Sequence, residues 1–185
     1  VSRLRRAMPG VIGSSPGVIQ LSAVVAKIGL ALLDAGHPSR ALAILTKAID
    51  DADRRLGVEP SGTLLLNAGW AALDCEVPEQ AAYWFDRALN ESPRVVQFFL
   101  AEAASGASAT LCRLGVPGAR GHSAAAAELC RRQGVPVFPR LTAAVDAAAA
   151  STGGADGDLE GGHVSRWVAV RDDELIVPIC EAIQA

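Results

Sequence analysis

Four cysteines, Cys75, Cys112, Cys130 and Cys180, and three histidines, His37, His122 and His163, are the side chains best suited here to hold a metal or attack a substrate. Their spacing argues against both. A structural zinc site needs ligands in close pairs, and the sequence has no Cys-x-x-Cys and no histidine at ligand spacing from a cysteine. Buried free thiols in a reducing compartment are the expectation, which places the protein in the cytoplasm. No Ser/His/Asp or Cys/His set has positional support for nucleophilic catalysis. His37 and Ser39 flank Pro38 and read as turn and capping residues. Asp50, Asp51 and Asp53, with Arg54 and Arg55, read as a solvated helical face. The expectation is no catalytic residue, no metal site and no cofactor.

Two further stretches carry possible chemistry. Gly115, Gly118 and Gly121 precede a helix as the glycines of a phosphate loop do. A phosphate loop needs a strand before it, and a P-loop ends in Gly-Lys-Ser/Thr. Here the preceding segment, Ala101 to Arg113, reads as helix, and His122-Ser123 stands where Lys-Ser/Thr would, so a structural loop is expected. The other stretch, residues 122–150, runs helix, Val135-Pro136-Val137-Phe138, helix. That order resembles the helix–strand–helix unit of nucleotide- or CoA-binding α/β enzymes and is the alternative reading of the chain. It requires a multi-stranded parallel sheet, and the sequence offers no other strands for one.

Composition points to packed helices. Half of the 185 residues are hydrophobic but only 4% are aromatic, so the core must be built from Ala, Leu and Val. Alanine is the best helix former and lets helices approach closely. A net charge of −3 argues against nucleic acid as a partner. Arg3, Arg5 and Arg6 read as a solvated terminus. The apolar run after them is broken by Pro9, Ser14-Ser15-Pro16, Gln20 and Lys27, which suits neither a secretory signal nor a membrane span.

Prolines and glycines divide the first two-thirds into helices. Ser15-Pro16 starts one that ends at Gly36, with Ile19, Leu21, Val24, Val25, Ile28, Leu32 and Leu33 at helical spacing. Pro38 starts the second, with Leu42, Leu45, Ile49 and Ala52 on one face. Pro60-Ser61 starts a third to about Cys75, Pro78 a fourth to about Asn90, and Ser92-Pro93 a fifth to about Arg113. Helices are also expected from about Ser123 to Gln133 and from Leu141 to Ala150. Residues 152–162 read as a flexible linker. In the tail, 163–185, Val164–Val170 and Leu175–Ile179 are β-prone runs around Arg171-Asp172-Asp173-Glu174 that could pair as a hairpin.

The same segments repeat. Gly69, Ala81, Phe85, Ala88 and Pro93 have the spacing of the tetratricopeptide repeat (TPR), in which two helices cross closely at the small residues. An earlier copy follows in register at Gly29, Ala41, Leu45 and Ala48, with Asp53 in place of the proline. The copies are 40 residues apart rather than about 34, and the excess falls in Asp50–Pro60. This resembles the longer repeats of kinesin light chain and of bacterial TPR regulators. A third copy is poor, since Gly115 and His122 fall at its two alanine positions.

The resemblance implies an all-α fold: antiparallel helical hairpins stacked as a short α-solenoid, with a small irregular or β-hairpin tail. A helical domain would span 1–150, with repeats at about 22–55 and 62–95, a degenerate capping hairpin at 96–133 and an extra helix at 140–150. A linker at 151–162 and the tail at 163–185 would follow. It implies a scaffold, adaptor or chaperone that takes a partner helix or extended peptide on its concave face. Carried over by position, that face would hold Ala26, Leu30 and Leu33 in the first copy and Leu66, Trp70 and Asp74 in the second, with Thr63 and Asn67 alongside. Trp70 is the anchor candidate, the competing reading being that it packs internally. Lys27 is followed four on by Ala31, so the Lys/Asn clamp of members that grip a C-terminal carboxylate is absent. The apolar tail is expected to dock on the helices, with the groove beside Leu66 and Trp70 as one place for it.

Overall fold

The structure is a computed structural model that describes residues 16–57, 59–90, 97–151 and 172–185. Among them the chain is all-helical, with eight α-helices and no strand. These are α1 (Pro16–Asp34), α2 (Pro38–Asp50), α3 (Gly62–Asp74), α4 (Pro78–Asn90), α5 (Gln97–Arg113), α6 (Ala119–Arg132), α7 (Pro139–Ser151) and α8 (Asp172–Gln184). The α2 run continues through Asp51–Leu56 as a wider π-helical turn and stops at Gly57, whose φ of 60° is left-handed. That continuation accounts for the long repeat spacing.

Each start follows from its residues. Ser61 accepts a hydrogen bond from the Leu64 amide at 3.3 Å, which satisfies one of the orphan donors at the head of α3. Pro38 and Pro78 occupy first helical positions, where a missing N–H costs nothing. The ends are more uniform still. After α1, α3, α5 and α6 the chain makes one and the same turn: the amides of His37, Val77, Val116 and Val135 return to the carbonyls of Leu32, Ala72, Leu111 and Cys130. Such a turn needs a left-handed residue just past the helix. Gly36, Gly115 and Gly134 supply it, and Glu76 occupies the same conformation with φ 59°.

Consecutive helices pack as hairpins, α1 on α2, α3 on α4 and α5 on α6. The first helix of each hairpin also packs on the first of the next, α1 on α3 and α3 on α5, and α7 extends the row against α5. Glycines set the closeness. A Cβ on Gly29 would stand 2.6 Å from the Leu45 side chain, and one on Gly69 would stand 2.7 Å from the Phe85 ring. Both pairs join the glycine to the large residue sixteen positions on, so the two hairpins are built alike. Phe85 is also wedged from the other side, since a Cβ on Gly106 of α5 would overlap its ring. One aromatic ring thus ties the second hairpin to the third. Ala81, fully buried, lines the same crossing.

The tail differs from expectation. Leu175–Ile179 is part of α8, not a strand, and α8 packs on α4, α5 and α6 rather than beside Leu66 and Trp70. Ile179 is fully buried there, and Gln184 donates to Asp86 at 2.9 Å. A helix satisfies its own backbone, whereas a lone hairpin leaves edges open. The linker at 152–162 and the run Val164–Val170 lie outside the described residues, as do 1–15 and Ser92-Pro93.

Candidate partner-binding site

The residues assigned by resemblance to a concave groove meet in the structure, but they are largely covered. Leu33 and Leu66 are buried, and Asn67 donates to the Ala26 carbonyl at 2.9 Å, joining α3 to α1. Trp70 is only 3% exposed. Its indole N–H donates to Glu102 at 3.1 Å, its ring meets Phe85 edge-on at 5.2 Å, and Phe138 lies 6.2 Å away. Arg140 stacks over the same ring at 5.6 Å and grips Asp74 with two hydrogen bonds of 3.2 and 2.8 Å. Burial pushes the Glu102 carboxyl up, against the opposing pull of the Trp70 N–H and the Arg140 charge. Residues 138–140 therefore lie across the place where the resemblance puts a ligand. Thr63 is half-buried, and Leu30, at 45% exposed, remains open.

An open apolar surface lies elsewhere, on the outer side of the first hairpin. Leu21, Val24 and Ile28 on α1 are 61%, 53% and 46% exposed, and Ile44 on α2 is 39% exposed. Leu21 and Ile44, with Ser22, Val25, Ala48 and Ala52, line a groove of about 240 Å³ that has Lys47 and Asp51 on its rim. The 40-residue register shows what this face is. Val24, Ile28 and Ile44 correspond to Leu64, Ala68 and Trp84, which are 0%, 0% and 6% exposed. In the second hairpin the α3 part of that face, Leu64 and Ala68, belongs to the helix that packs on α1 and α2 of the first, whereas α4, which carries Trp84, packs on α3, α5 and α8. In the first hairpin no described residue covers that face. At the far end of the row, α7 exposes Thr142, Ala143, Asp146 and Ala147 instead, a surface with no large apolar side chain.

Sequence reading placed Leu21, Val24 and Ile28 at helical spacing in the first helix. Periodicity identifies an apolar face but not whether a neighbour exists to cover it. The repeat register held the missing signal, because among the described residues no unit stacks on the first copy as the first stacks on the second.

The cysteines do not gather. Cys112 lies 3.3 Å from the Ser123 hydroxyl, Cys130 3.4 Å from Ser105, and Cys75 3.7 Å from Ser39. Burial pushes the thiols of Cys112, Cys130 and Cys180 up, so they stay protonated and poorly nucleophilic at neutral pH. Among the described residues no three His, Cys, Asp or Glu side chains cluster to hold a metal ion. Gly115 and Gly118 sit in a loop between two helices, with no strand before it. Residues 135–138 form an irregular connection, so the sheet that the enzyme alternative requires is missing among the described residues. None of those residues forms a helix long and apolar enough to cross a membrane. No protein-family model, curated protein or solved structure matches the chain significantly.

Proposed function

We propose that this chain is a TPR-like scaffold that binds another protein by taking a helix of that protein against the outer face of its first hairpin. The observation that carries the reading is the register comparison: Leu64 and Ala68, buried on the helix that packs against the first hairpin, correspond to Val24 and Ile28, which are apolar and which no described residue covers. The identical end-turns and the Gly29–Leu45 and Gly69–Phe85 pairs support the repeat reading on which the comparison depends. The ligand class remains the one implied by the resemblance, a partner helix, while the surface moves from the concave face to the leading edge.

Magnitudes set the kind of complex. Fully burying one large aliphatic side chain is worth about 1.5–3 kcal/mol. Four that are already half-covered contribute roughly half of that each, so roughly 3–6 kcal/mol in total. Association costs on the order of 4–15 kcal/mol in lost freedom. These residues alone do not make a tight complex, so the partner must add contacts of its own, and reversible adaptor or chaperone binding fits better than a permanent assembly.

A photo-crosslinking amino acid at position 24 tests this in the native cell. It should capture protein through a helical segment that mass spectrometry can map, while the same group at the exposed Glu79 should not. Equal capture at both positions, or none at position 24, would sink the reading.

A further inference from the structure

We infer that the helix received by this face belongs to a second copy of the same chain, so that two first hairpins dock face to face about a two-fold axis. The inference rests on reading the face as a helix-docking surface, and it names the occupant.

Shape is the first argument. The face carries both halves of a contact. Leu21 and Val24 protrude from α1, and beside them runs a groove floored by the partly buried Val25 and Ala48 and the buried Ala52. Small residues along α2 let a second helix approach closely, as Gly29 and Gly69 do within the hairpins. A two-fold axis lays the ridge of each copy in the groove of the other and counts each exposed side chain twice.

Charge is the second argument. Lys47 and Asp51 stand one turn apart on the groove rim, 3.2 Å from each other and both in contact with solvent. A rim with one charge of each sign is complementary to itself when inverted. An antiparallel α2 pairing that crosses near Ile49 sets Lys47 beside Asp51 of the partner subunit, and the symmetry repeats the pair.

The far end of the molecule is the third argument. Head-to-tail stacking would need an apolar acceptor on α7, and the outward positions there are Thr142, Ala143, Asp146 and Ala147. Among the described residues, α7 therefore offers the leading face no large apolar acceptor. An isologous contact closes at two copies instead of growing into a filament.

Sedimentation equilibrium of the full chain decides the matter. The expected mass is twice 19.1 kDa at tens of micromolar protein. The double variant Val24→Asp/Ile28→Asp should sediment as a monomer with unchanged helicity. Should that variant fail to fold, the rim charges serve instead. Lys47→Asp alone should raise the dimer dissociation constant at least tenfold, and Lys47→Asp combined with Asp51→Lys should restore it. A wild-type monomer at these concentrations, or a dimer indifferent to all of these changes, overturns the inference. A monomer that still crosslinks through position 24 to a helix of another protein leaves the docking face standing and removes only the second copy. A monomer that crosslinks to nothing removes both.

Discussion

Phe85 shows how much one side chain can hold. Its ring is fully buried between Gly69 of α3 and Gly106 of α5, so it joins two hairpins at once. A methyl group on Gly106 has no room unless the ring moves. Gly106→Ala should therefore destabilise the protein by about 1–3 kcal/mol, the usual cost of overpacking. Gly121→Ala, where an added Cβ meets nothing within 4 Å, should not. Chemical denaturation with fluorescence detection measures both. Adding Phe85→Leu to Gly106→Ala should recover part of the loss, because the smaller side chain vacates the space; a purely additive loss would place the strain elsewhere. The sequence made half of this arrangement legible. Gly69 and Phe85 fall on the repeat pattern, but Gly106 lies outside the poor third copy. What marked it was a glycine inside an apolar helical run, tolerated at a cost only where another group comes close. Trp70 teaches the converse. Its type and position suit a binding anchor, yet Glu102, Phe138 and Arg140 consume those same properties inside the fold.

Helix ends are where the elements were most readable. Asp34-Ala35-Gly36-His37-Pro38 and Asp74-Cys75-Glu76-Val77-Pro78 align residue for residue, and the structure gives them identical turns. Glu76 is the exception within the set, a side chain held at φ 59° where the other three turns have glycine. Left-handed backbone costs an L-residue about 1–2 kcal/mol. Glycine returns about 0.5–1 kcal/mol of that in the greater freedom of its unfolded chain. Glu76→Gly should therefore stabilise by about 0.5–1 kcal/mol, and Gly36→Ala, its mirror experiment, should destabilise by a similar amount. Paired thermal melts would show it, and a Glu76→Gly protein that melts lower than wild type would contradict the turn assignment. The α8 segment was the element least readable. Leu175, Ile176, Val177 and Ile179 have the composition of a strand, and Pro178 argues locally against a helix interior. Burial against α4, α5 and α6 overrides both signals, which no local pattern can announce. Ile179→Ala should cost about 2–5 kcal/mol, the range for emptying a full aliphatic site. A cost near zero would mean that α8 lies on the surface without holding it.

At the scale of the whole molecule, the first two hairpins follow a repeat, while the remainder wraps it. Residues 138–140 cross the face of α3 and α5, and α8 crosses α4, α5 and α6. The sequence could not place these crossings, because each depends on a surface formed only after the hairpins stack. One consequence is measurable through Glu102. It lies half-buried where α3, α5 and the start of α7 meet, and burial holds its carboxyl above the ordinary value of 4.5. The unfolded chain releases this proton earlier than the folded one as pH rises, so between the two values the folded state binds more protons. Folding stability attributable to this group is then fully present below about pH 4.5 and is lost as pH rises through the folded value. The Arg140 charge opposes the loss without cancelling it. Glu102→Gln keeps a carbonyl oxygen for the Trp70 N–H and removes the titration. The variant should be more stable than wild type at neutral pH, and the gap should close as pH is lowered toward 4.5. Urea midpoints measured across that range test the sign directly. A Glu102→Gln protein that is uniformly less stable at every pH would mean that the carboxylate charge holds Arg140 over Trp70, and that residues 138–140 are fastened across α3 and α5 by an electrostatic latch rather than an apolar one.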